Sequence, residues 1–329
     1  MILDGALPES VAACAQALKA GELVGLPTET VYGLGADASS DAAVAKIFAA
    51  KGRPADHPLI VHVAQASDVD HFAAGVPAFA QALMQAFWPG PLTLILPRRA
   101  GVGAAAAGGQ DSIGLRCPSH PVAQALLRAA AQLGVHGVAA PSANKFGRVS
   151  PTTAAHVQGE FGEDLRVLDG GACAVGIEST IIDCTRGAPV LLRPGVLTRE
   201  QLEAACGQAL RSKAELATPD PRASGTLEAH YAPRAKVRLM DARALQTALD
   251  LLGAEASAIA VYSRATLRSR SPRVIRRRMP DDAAATARQL FAVLREFDAQ
   301  GVKLIWIETP PATPEWEGVR DRLQRAAAA

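Results

Sequence analysis

The chain has 329 residues, of which 49% are apolar and 20% charged, and its net charge of +2 does not by itself indicate a polyanionic partner. Its five cysteines are odd in number and form no C-x-x-C pair, which argues against a disulfide framework and a zinc site. The first residues lack a signal peptide and no apolar run approaches the ~20 residues that span a bilayer, so we predict a cytoplasmic protein without membrane contact.

The N-terminal part of the chain predicts strands that alternate with helices. Apolar positions at helical spacing indicate helices at 8–20, from about 40 to Ala50, near 66–74 and 77–87, and at 121–133. Short apolar runs indicate strands at 23–26, 59–63, 92–96, 112–116 and 138–140, and near 166–168 and 179–183. This alternation predicts an α/β domain with a mixed, twisted sheet. Residues 100–110, rich in glycine and alanine, predict a flexible loop.

One stretch, residues 26–35, joins a strand end to polar side chains. The strand stops at Pro27, the segment Thr28-Glu29-Thr30 follows, and two glycines then bracket Leu34. A strand that delivers hydroxyls and a carboxylate into a turn loosened by glycine is typical of small-molecule sites in α/β proteins. On this decapeptide alone, an ordinary turn and such a site are equal alternatives.

The rest of the chain predicts a linker and a second, smaller domain. Residues 207–235 lack sustained periodicity, so we predict a linker, which contains His230-Tyr231-Ala232-Pro233. From residue 236 the pattern restarts, with strands at 237–240, 259–262 and 304–307 and helices at 242–252, at 282–299 and from 315. This predicts a three-layer α/β domain with a parallel sheet. The nucleotide-binding patterns G-x-G-x-x-G and G-x-x-x-x-G-K-[ST] are absent from it.

The second domain contains a cluster of arginines between its second and third elements. They are Arg268, Arg270, Arg273, Arg276, Arg277 and Arg278. We interpret the cluster as a solvated surface loop, and a contact with tRNA phosphates is the less favoured alternative.

Cationic side chains follow the strands and helices of the first domain. Lys51 and Arg53 follow a helix, while Arg116 and Arg193 close strands. Arginines on loops that proline restrains suit an anionic substrate. Each one alone is better explained as a salt-bridge partner, but that explanation is weak for all of them together. The sequence has no H-E-x-x-H, no G-x-S-x-G and no histidines at metal-ligand spacing. Catalysis would therefore depend on positioning and charge stabilisation, as in transfer at phosphorus.

Five motifs follow one another along the first 205 residues. They are Pro27-Thr28-Glu29-Thr30-Val31-Tyr32-Gly33-Leu34, Lys51-Gly52-Arg53-Pro54 with Pro58-Leu59, Trp88-Pro89-Gly90-Pro91-Leu92-Thr93, Pro141-Ser142-Ala143-Asn144 with Ser150-Pro151-Thr152, and Glu178-Ser179-Thr180 with Arg193-Pro194-Gly195. Together they resemble the YrdC-like family. The segment His230-Tyr231-Ala232-Pro233 and the second domain resemble the longer, two-domain form, the L-threonylcarbamoyladenylate synthases.

This resemblance implies a YrdC-like catalytic domain at 1–206, a linker or lid at 207–235 and a Rossmann-like C-terminal domain at 236–329. One departure concerns the linker. It commonly begins Ser-Pro-Gly-Met in the family, whereas this chain has Ala223-Ser224-Gly225-Thr226, which leaves the contacts of a lid open.

The activity that the resemblance implies is that of a nucleotidyltransferase. It would make threonylcarbamoyl-AMP from L-threonine, bicarbonate and ATP and release pyrophosphate. The product would serve the threonylcarbamoyladenosine modification of tRNA beside the anticodon, through downstream transfer proteins. Both reacting partners are anions, so lysine, arginine and Mg²⁺ that accompanies ATP would offset their repulsion.

The resemblance also implies roles for individual residues. L-Threonine would be bound by Thr30, His62, Arg116, Ala140 and Ser179. ATP would be bound by Arg53, His57, Ser112, Ser142, Ser150, Arg193 and His230. Lys51 and Arg53 would act in catalysis, and Ser112 and Arg116 would flank one strand end. For His62 a buried structural histidine is an equal alternative, and no side chain is implied as a metal ligand.

Two other functions fit parts of the pattern. A non-catalytic RNA-binding module would also present a cationic concave surface, but stacking aromatic residues and a strongly basic balance are missing. A carbamoyl-transfer enzyme with the same catalytic domain would carry additional zinc-finger-like cysteines, which this chain lacks. The synthase is therefore the preferred hypothesis.

Overall fold

The computed structural model describes residues 1–215 and 230–329, and the chain divides into two compact units. The first unit comprises Met1–Phe146 and Ser150–Thr226, and the second comprises Gly147–Val149 and Leu227–Ala329. The segment 223–226, at which the sequence departs from the family pattern, lies outside the described residues. The domain boundaries at 206–207 and 235–236 stay a prediction.

The described strands of the first unit form one mixed sheet. They are β1 (Ile2–Asp4), β2 (Val24–Leu26), β3 (Gly33–Asp37), β4 (Ile60–His62), β5 (Leu92–Pro97), β6 (Ser112–Arg116), β7 (Val138–Ala139), β8 (Arg166–Asp169), β9 (Thr180–Asp183), β10 (Val190–Arg193) and β11 (Arg211–Ser212). Their order across the sheet is β1-β8-β2-β3-β7-β4-β6-β5-β9-β10-β11. The helices are α1 (Pro8–Lys19), α2 (Asp41–Lys51), α3 (Val69–Phe72), α4 (Ala78–Phe87), α5 (Pro121–Gln132), α6 (Ala154–Phe161) and α7 (Arg199–Cys206). The predicted α/β architecture with a mixed sheet is confirmed.

Helix α2 leads the chain to the first residue predicted to be catalytic. Its N-cap is Ser40, whose hydroxyl accepts a hydrogen bond from the backbone N–H of Ala43 at 3.2 Å. Four apolar residues of the helix are buried: Ala43, Val44, Ile47 and Phe48. The helix ends at Gly52, whose left-handed φ of 65° is costly for residues with a Cβ. It therefore places Lys51 in its last turn and turns the chain sharply into Arg53.

Gly33 and Gly35 lie in strand β3, so the prediction of a turn loosened by glycine was wrong at these positions. A Cβ at Gly35 would lie 2.8 Å from side-chain carbons of both Leu26 and Val138. A Cβ at Gly33 would lie 3.0 Å from the Cβ of Ala140. Close packing beside β2 and β7, and not turn geometry, therefore requires the glycines.

The segment 100–110 is a series of turns that packs into the protein. Ala106 and Ala107 have no exposed surface, and the carbonyl of Ala106 accepts a hydrogen bond from the N–H of Leu59 at 2.7 Å. Small alanine side chains can enter the core without displacing their neighbours. This burial corrects the expectation of a flexible loop.

The second unit has a parallel sheet with helices. Its described strands are β12 (Lys236–Met240), β13 (Ile259–Ser263), β14 (Ile275–Arg278) and β15 (Leu304–Glu308), in the order β12-β15-β13-β14. Its helices are α8 (Ala242–Leu252), α9 (Ala283–Ala299) and α10 (Glu317–Ala327). Every pair of neighbouring strands is parallel, which confirms the predicted parallel sheet. Across residues 1–215 and 230–329, none of the helices has the length and apolar character needed to cross a membrane.

The arginine cluster of the second unit includes strand β14, which corrects the prediction of a surface loop along its whole length. β14 lies at the edge of the sheet, where charged side chains discourage pairing with another strand. Three arginines of the cluster form ion pairs with carboxylates: Arg273, before the strand, with Glu255, and Arg277 and Arg278, within it, with Glu296 and Asp281.

Candidate active site

The loop 27–32 joins β2 to β3 and is tied to two later parts of the chain. The N–H of Tyr32 donates to the carbonyl of Pro151 at 2.9 Å, and the carbonyl of Tyr32 accepts from the N–H of Ala143 at 2.8 Å. These bonds bring together the first and the fourth of the motifs on which the family resemblance depends. The predicted threonine and ATP residues of those motifs are therefore neighbours in space.

Arg116 is buried at the end of β6, and each nitrogen of its guanidinium group has a partner. Nη1 donates to Thr30 Oγ1 at 2.8 Å, and Nε donates to the carbonyl of Gly90 at 3.2 Å. Nη2 lies 2.6 Å from Oε1 of Glu29, whose other carboxylate oxygen accepts from the N–H of Ser119 at 3.2 Å. A guanidinium group has five N–H bonds, so at least two remain for an anionic ligand.

His62 lies directly beside Arg116, because β4 and β6 are parallel and the two residues are paired in register. The side chain of His62 is buried. Burial, and after it the charge of Arg116, lowers the pKa of His62 from 6.5 to about 3. The imidazole is therefore neutral near pH 7 and can make hydrogen bonds without adding charge. Its contact with threonine stays a prediction.

Ser179 connects a residue predicted for threonine with one predicted for ATP. Its hydroxyl lies 2.7 Å from Thr93 Oγ1 and accepts from Nη2 of Arg193 at 3.2 Å. Nε of Arg193 donates to the carbonyl of Ser179 at 3.0 Å. All three side chains are buried. A ligand that moves Ser179 would therefore also move Arg193.

Lys51 is buried, and backbone carbonyls hold its side-chain nitrogen. Nζ donates to the carbonyl of Ser142 at 2.5 Å and to that of Asn144. Burial, and after it the charge of Arg53, lowers the pKa of Lys51 well below its ordinary value. An anionic ligand nearby would favour the charged form again. The structure thus brings Lys51 together with the predicted ATP loop around Ser142.

Arg53 and His57 share the loop that follows α2. The guanidinium of Arg53 donates to the carbonyl of Pro58 at 2.9 Å and lies 5.7 Å from the centre of the Phe146 ring. The imidazole of His57 meets the same ring edge-on at 5.6 Å. Partial burial, and after it the charge of Arg53, lowers the pKa of His57. Phe146 thus contacts two predicted ATP residues, although the sequence did not single it out.

Ser112 and Arg116 stand at opposite ends of β6. At ~3.3 Å per residue, four steps along the strand separate their Cα atoms by about 13 Å. The expectation that they flank one strand end was therefore wrong.

Ser150 and Ala140 are both close to fixed backbone. Ser150 is buried, and its hydroxyl donates to the carboxylate of Glu178. The N–H of Ala140 donates to the carbonyl of Ile60 at 2.9 Å. The backbone group that Ala140 could offer to a ligand is therefore its carbonyl.

His230 belongs to the second unit. Its ring is buried and meets the ring of Tyr231 edge-on at 4.1 Å, and its backbone N–H donates to the carbonyl of Arg325 at 3.3 Å. Its role at the ATP site stays a prediction.

The part of the chain that the structure describes contains no metal-binding site made of His, Cys, Asp or Glu side chains. Among those residues, no three His, Cys, Asp or Glu side chains lie close enough together to hold a metal ion. Two carboxylates beside the predicted ligand residues are engaged, Glu29 with Arg116 and Glu178 with Ser150. The described residues therefore do not fit a protein-bound Mg²⁺ centre.

Four polar residues of the cleft had no assigned ligand role in the sequence: Thr28, Glu29, Thr93 and Glu178. Each lies inside one of the five motifs, which is the signal that could have marked it. Their contacts are visible only in the structure. Glu29, Thr93 and Glu178 contact residues that are distant in sequence, and Thr28 acts through the direction of its hydrogen bond.

Comparison with known proteins supports the same family. The family model described as "Telomere recombination" matches residues 16–195, and the one described as "Threonylcarbamoyl-AMP synthase, C-terminal domain" matches residues 197–328. The threonylcarbamoyl-AMP synthase of Pyrococcus abyssi is 37% identical over 94% of this chain and 92% of its own length. The threonylcarbamoyl-AMP synthase of Bacillus subtilis is 38% identical over 96% of this chain and 92% of its own length. The chain belongs to the threonylcarbamoyl-AMP synthase family.

A solved structure of a relative superposes on nearly the whole chain. It is the crystal structure of Pyrococcus abyssi Sua5 complexed with L-threonine, which matches this chain with a TM-score of 0.88 at 36% sequence identity. The match covers 98% of this chain and 95% of the Pyrococcus chain. Family membership confirms the predicted two-part α/β fold and the predicted enzyme class. The reaction of the family is the predicted one, synthesis of threonylcarbamoyl-AMP.

Proposed function

We propose that this chain forms threonylcarbamoyl-AMP from L-threonine, bicarbonate and ATP, with release of pyrophosphate, in the cleft of its first unit. The observation that carries the proposal is the presence of two buried cationic sites, Arg116 beside Thr30 and Lys51 beside Arg53. Two sites suit two anionic groups, the carboxylate of threonine and the phosphates of ATP. The Pyrococcus relative that was crystallised with L-threonine supports the choice of amino acid.

The chemistry requires cations because a carbamate and a triphosphate, both negative, must approach each other. The amino group of threonine attacks CO₂, which bicarbonate supplies by losing hydroxide, and the nitrogen then loses a proton to give a carbamate. A carbamate oxygen then attacks the α-phosphate of ATP, and pyrophosphate leaves. Buried guanidinium and ammonium groups offset the repulsion between these anions more strongly than exposed ones, because little water screens them.

The threonine end of the cleft is assigned to the residues around β4 and β6. Arg116 would take the carboxylate of threonine with its remaining N–H groups, and neutral His62 would add a hydrogen bond. The other proposed threonine contacts are Thr30, the carbonyl of Ala140, and Ser179.

The ATP end is assigned to the loop after α2 and the loop after β7. Lys51 and Arg53 would act on the phosphates, since both are cations that donate to backbone carbonyls, which leave their positive charge available to an anion. The other proposed ATP contacts are His57, Ser112, Ser142, Ser150, Arg193 and His230. Mg²⁺ would enter with the phosphates of ATP and neutralise part of their charge.

The product would pass to proteins that transfer the threonylcarbamoyl group to tRNA, and a cytoplasmic location would suit that exchange. Direct contact with tRNA has little support. Three arginines of the cluster around β14 are already paired with carboxylates, which reduces their attraction for phosphates.

The test is release of pyrophosphate from ATP in the presence of bicarbonate, with and without L-threonine. We expect pyrophosphate release to need both threonine and bicarbonate, and threonylcarbamoyl-AMP to form in the same amount as pyrophosphate. Release that continues at the same rate without threonine would contradict the proposal.

A further inference from the structure

Thr28 is buried and makes short polar contacts within its own loop. Its Oγ1 lies 2.6 Å from the carbonyl oxygen of Val31 and 2.9 Å from Oγ1 of Thr30. It also accepts from the backbone N–H groups of Thr30 and Val31, each at 3.2 Å. A hydroxyl has one hydrogen, and a carbonyl oxygen can only accept. The hydrogen of Thr28 therefore points at Val31, its shortest contact.

That direction fixes the hydroxyl hydrogen of Thr30. Since Thr28 donates to Val31, and two hydroxyl oxygens 2.9 Å apart need a hydrogen between them, Thr30 is the donor to one lone pair of Thr28. The two backbone N–H groups, at the longer distance of 3.2 Å, share its other lone pair. Nη1 of Arg116, which can only donate, gives a hydrogen bond to Thr30 Oγ1 at 2.8 Å. The Thr30 hydroxyl has then used its hydrogen and one of its two lone pairs. It can only accept from a ligand.

We propose that Thr28 is a positioning residue that makes Thr30 a hydrogen-bond acceptor for the amino group of the amino-acid substrate. The inference rests on the proposed function. A carboxylate has no hydrogen to donate, so it cannot bind Thr30 in this state and is left to Arg116. In threonine the amino group is one carbon from the carboxylate and the side-chain hydroxyl is two carbons away. The amino group is therefore the donor nearest to Thr30 once Arg116 holds the carboxylate.

This arrangement has a consequence for the reaction. The amino group is the nucleophile, and a hydrogen bond from one of its N–H bonds to Thr30 fixes the direction of its lone pair. A fixed nucleophile reacts faster than one that rotates, because its orientation is set before the attack. Thr28 acts on this step without touching the substrate.

The experiment compares Thr28→Val, which removes the hydroxyl at nearly constant volume, with Thr28→Ser, which keeps it. KM for L-threonine and kcat are measured by pyrophosphate release. Two analogues are used as competitors: 3-hydroxybutanoate, which lacks the amino group, and 2-aminobutanoate, which lacks the side-chain hydroxyl. Thermal unfolding of each variant shows whether it folds, and Thr28→Ala is the second variant if Thr28→Val does not.

We expect Thr28→Val to raise KM for threonine and the inhibition constant of 2-aminobutanoate about tenfold, the effect of one lost hydrogen bond. The inhibition constant of 3-hydroxybutanoate should change less than twofold, and Thr28→Ser should have the wild-type values.

Three other outcomes are distinguishable. Equal weakening of the binding of all three ligands would show a role in folding only, and unchanged binding would show no role for Thr28. Weakening of 3-hydroxybutanoate alone would make the side-chain hydroxyl the partner of Thr30. Each of these results overturns the proposal, whereas wild-type release without threonine would instead contradict the proposed function.

Discussion

Oε1 of Glu29 lies 2.6 Å from Nη2 of Arg116, and both side chains are almost completely buried. The other oxygen of Glu29 is held by the N–H of Ser119 at 3.2 Å, so the carboxylate cannot turn away. Glu29 thereby fixes the plane of the guanidinium group and the direction in which its remaining N–H bonds point. A residue that sequence reasoning left as part of a turn becomes the support of the proposed carboxylate clamp.

Glu29→Ala should destabilise the fold and weaken threonine binding together. Removing one partner of a buried ion pair leaves the other charge uncompensated, which costs about 3–5 kcal/mol. Urea unfolding and KM for threonine measure the two effects. The control is Glu22→Ala, because Glu22 pairs with Arg166 at the surface and such pairs contribute about 0–1 kcal/mol. Equal free energies of unfolding for the two variants would mean that the buried ion pair stabilises the fold no more than the surface pair does.

Arg53→Ala should lower kcat by about 10²–10³, because a donor that stabilises charge in the transition state is lost. The fold should persist, since backbone hydrogen bonds from Arg53 to Phe48 and from His57 to Pro54 hold the loop without the Arg53 side chain. Pyrophosphate release and circular dichroism are the measurements. Arg53→Lys keeps the charge and should recover only part of the activity, because a lysine cannot reproduce the planar guanidinium contact. Unchanged turnover in Arg53→Ala would remove this residue from the site.

ATP binding should take up protons through Lys51. Burial lowers the pKa of this lysine well below 10.5, so it loses its proton at a lower pH than an ordinary lysine; phosphates favour the charged form and raise the pKa again. ATP affinity should therefore fall as pH rises. Calorimetry in buffers of different ionisation enthalpy measures the proton uptake.

Two variants separate the sources of this proton. In Lys51→Arg the side chain is charged at every accessible pH, so its share of the uptake should disappear. His57→Gln removes only the contribution of the half-buried imidazole, whose pKa is also lowered. Proton uptake that persists unchanged in Lys51→Arg would show that Lys51 does not sense ATP.

His62 should make stability fall in acid. Its pKa is about 3 in the folded protein and 6.5 in the unfolded chain, so the unfolded chain binds the proton first as pH falls. The contribution to stability is present above pH 6.5 and is lost between 6.5 and about 3, with a slope of up to ~1.4 kcal/mol per pH unit. Urea unfolding from pH 7 to 4 should show a shallower pH dependence for His62→Gln than for the wild type. Parallel curves would place the titration elsewhere.

Gly35→Ala should destabilise the first unit by about 1–3 kcal/mol, because its new methyl group would lie 2.8 Å from carbons of Leu26 and Val138. Gly159 is the control. It is exposed in helix α6, and among the described residues no neighbouring atom would lie within 4 Å of an added methyl group, so Gly159→Ala should stabilise by up to ~1 kcal/mol. Thermal unfolding of both variants checks the contrast, and a stable Gly35→Ala would mean that β2 and β7 can move apart.

Much of the fold follows from local sequence rules. Ser40 and Gly52 mark the ends of α2, so capping and helix periodicity predicted this helix, although the prediction ended it at Ala50 and the structure includes Lys51 in its last turn. The alternation of strands and helices predicted both α/β units for the same reason. The types of the site residues were also predictable, because arginines and hydroxyls at strand ends indicate an anionic ligand.

Other features depend on contacts between distant residues, which no local pattern contains. The glycines of β3 resemble a turn in sequence, but neighbouring strands that leave no room for a Cβ require them. Thr30 and Arg116 are 86 residues apart, and only the folded sheet brings them to 2.8 Å. The proposed role of Thr28 depends on the relative positions of three atoms, its own Oγ1, Oγ1 of Thr30 and the carbonyl oxygen of Val31. All neighbours of a hydroxyl group together decide the direction of its hydrogen. The sequence thus determined which chemical groups the cleft contains, and the tertiary structure decided which group donates, which accepts and which charge is held neutral, because hydrogen-bond direction and pKa depend on burial and on neighbours in space.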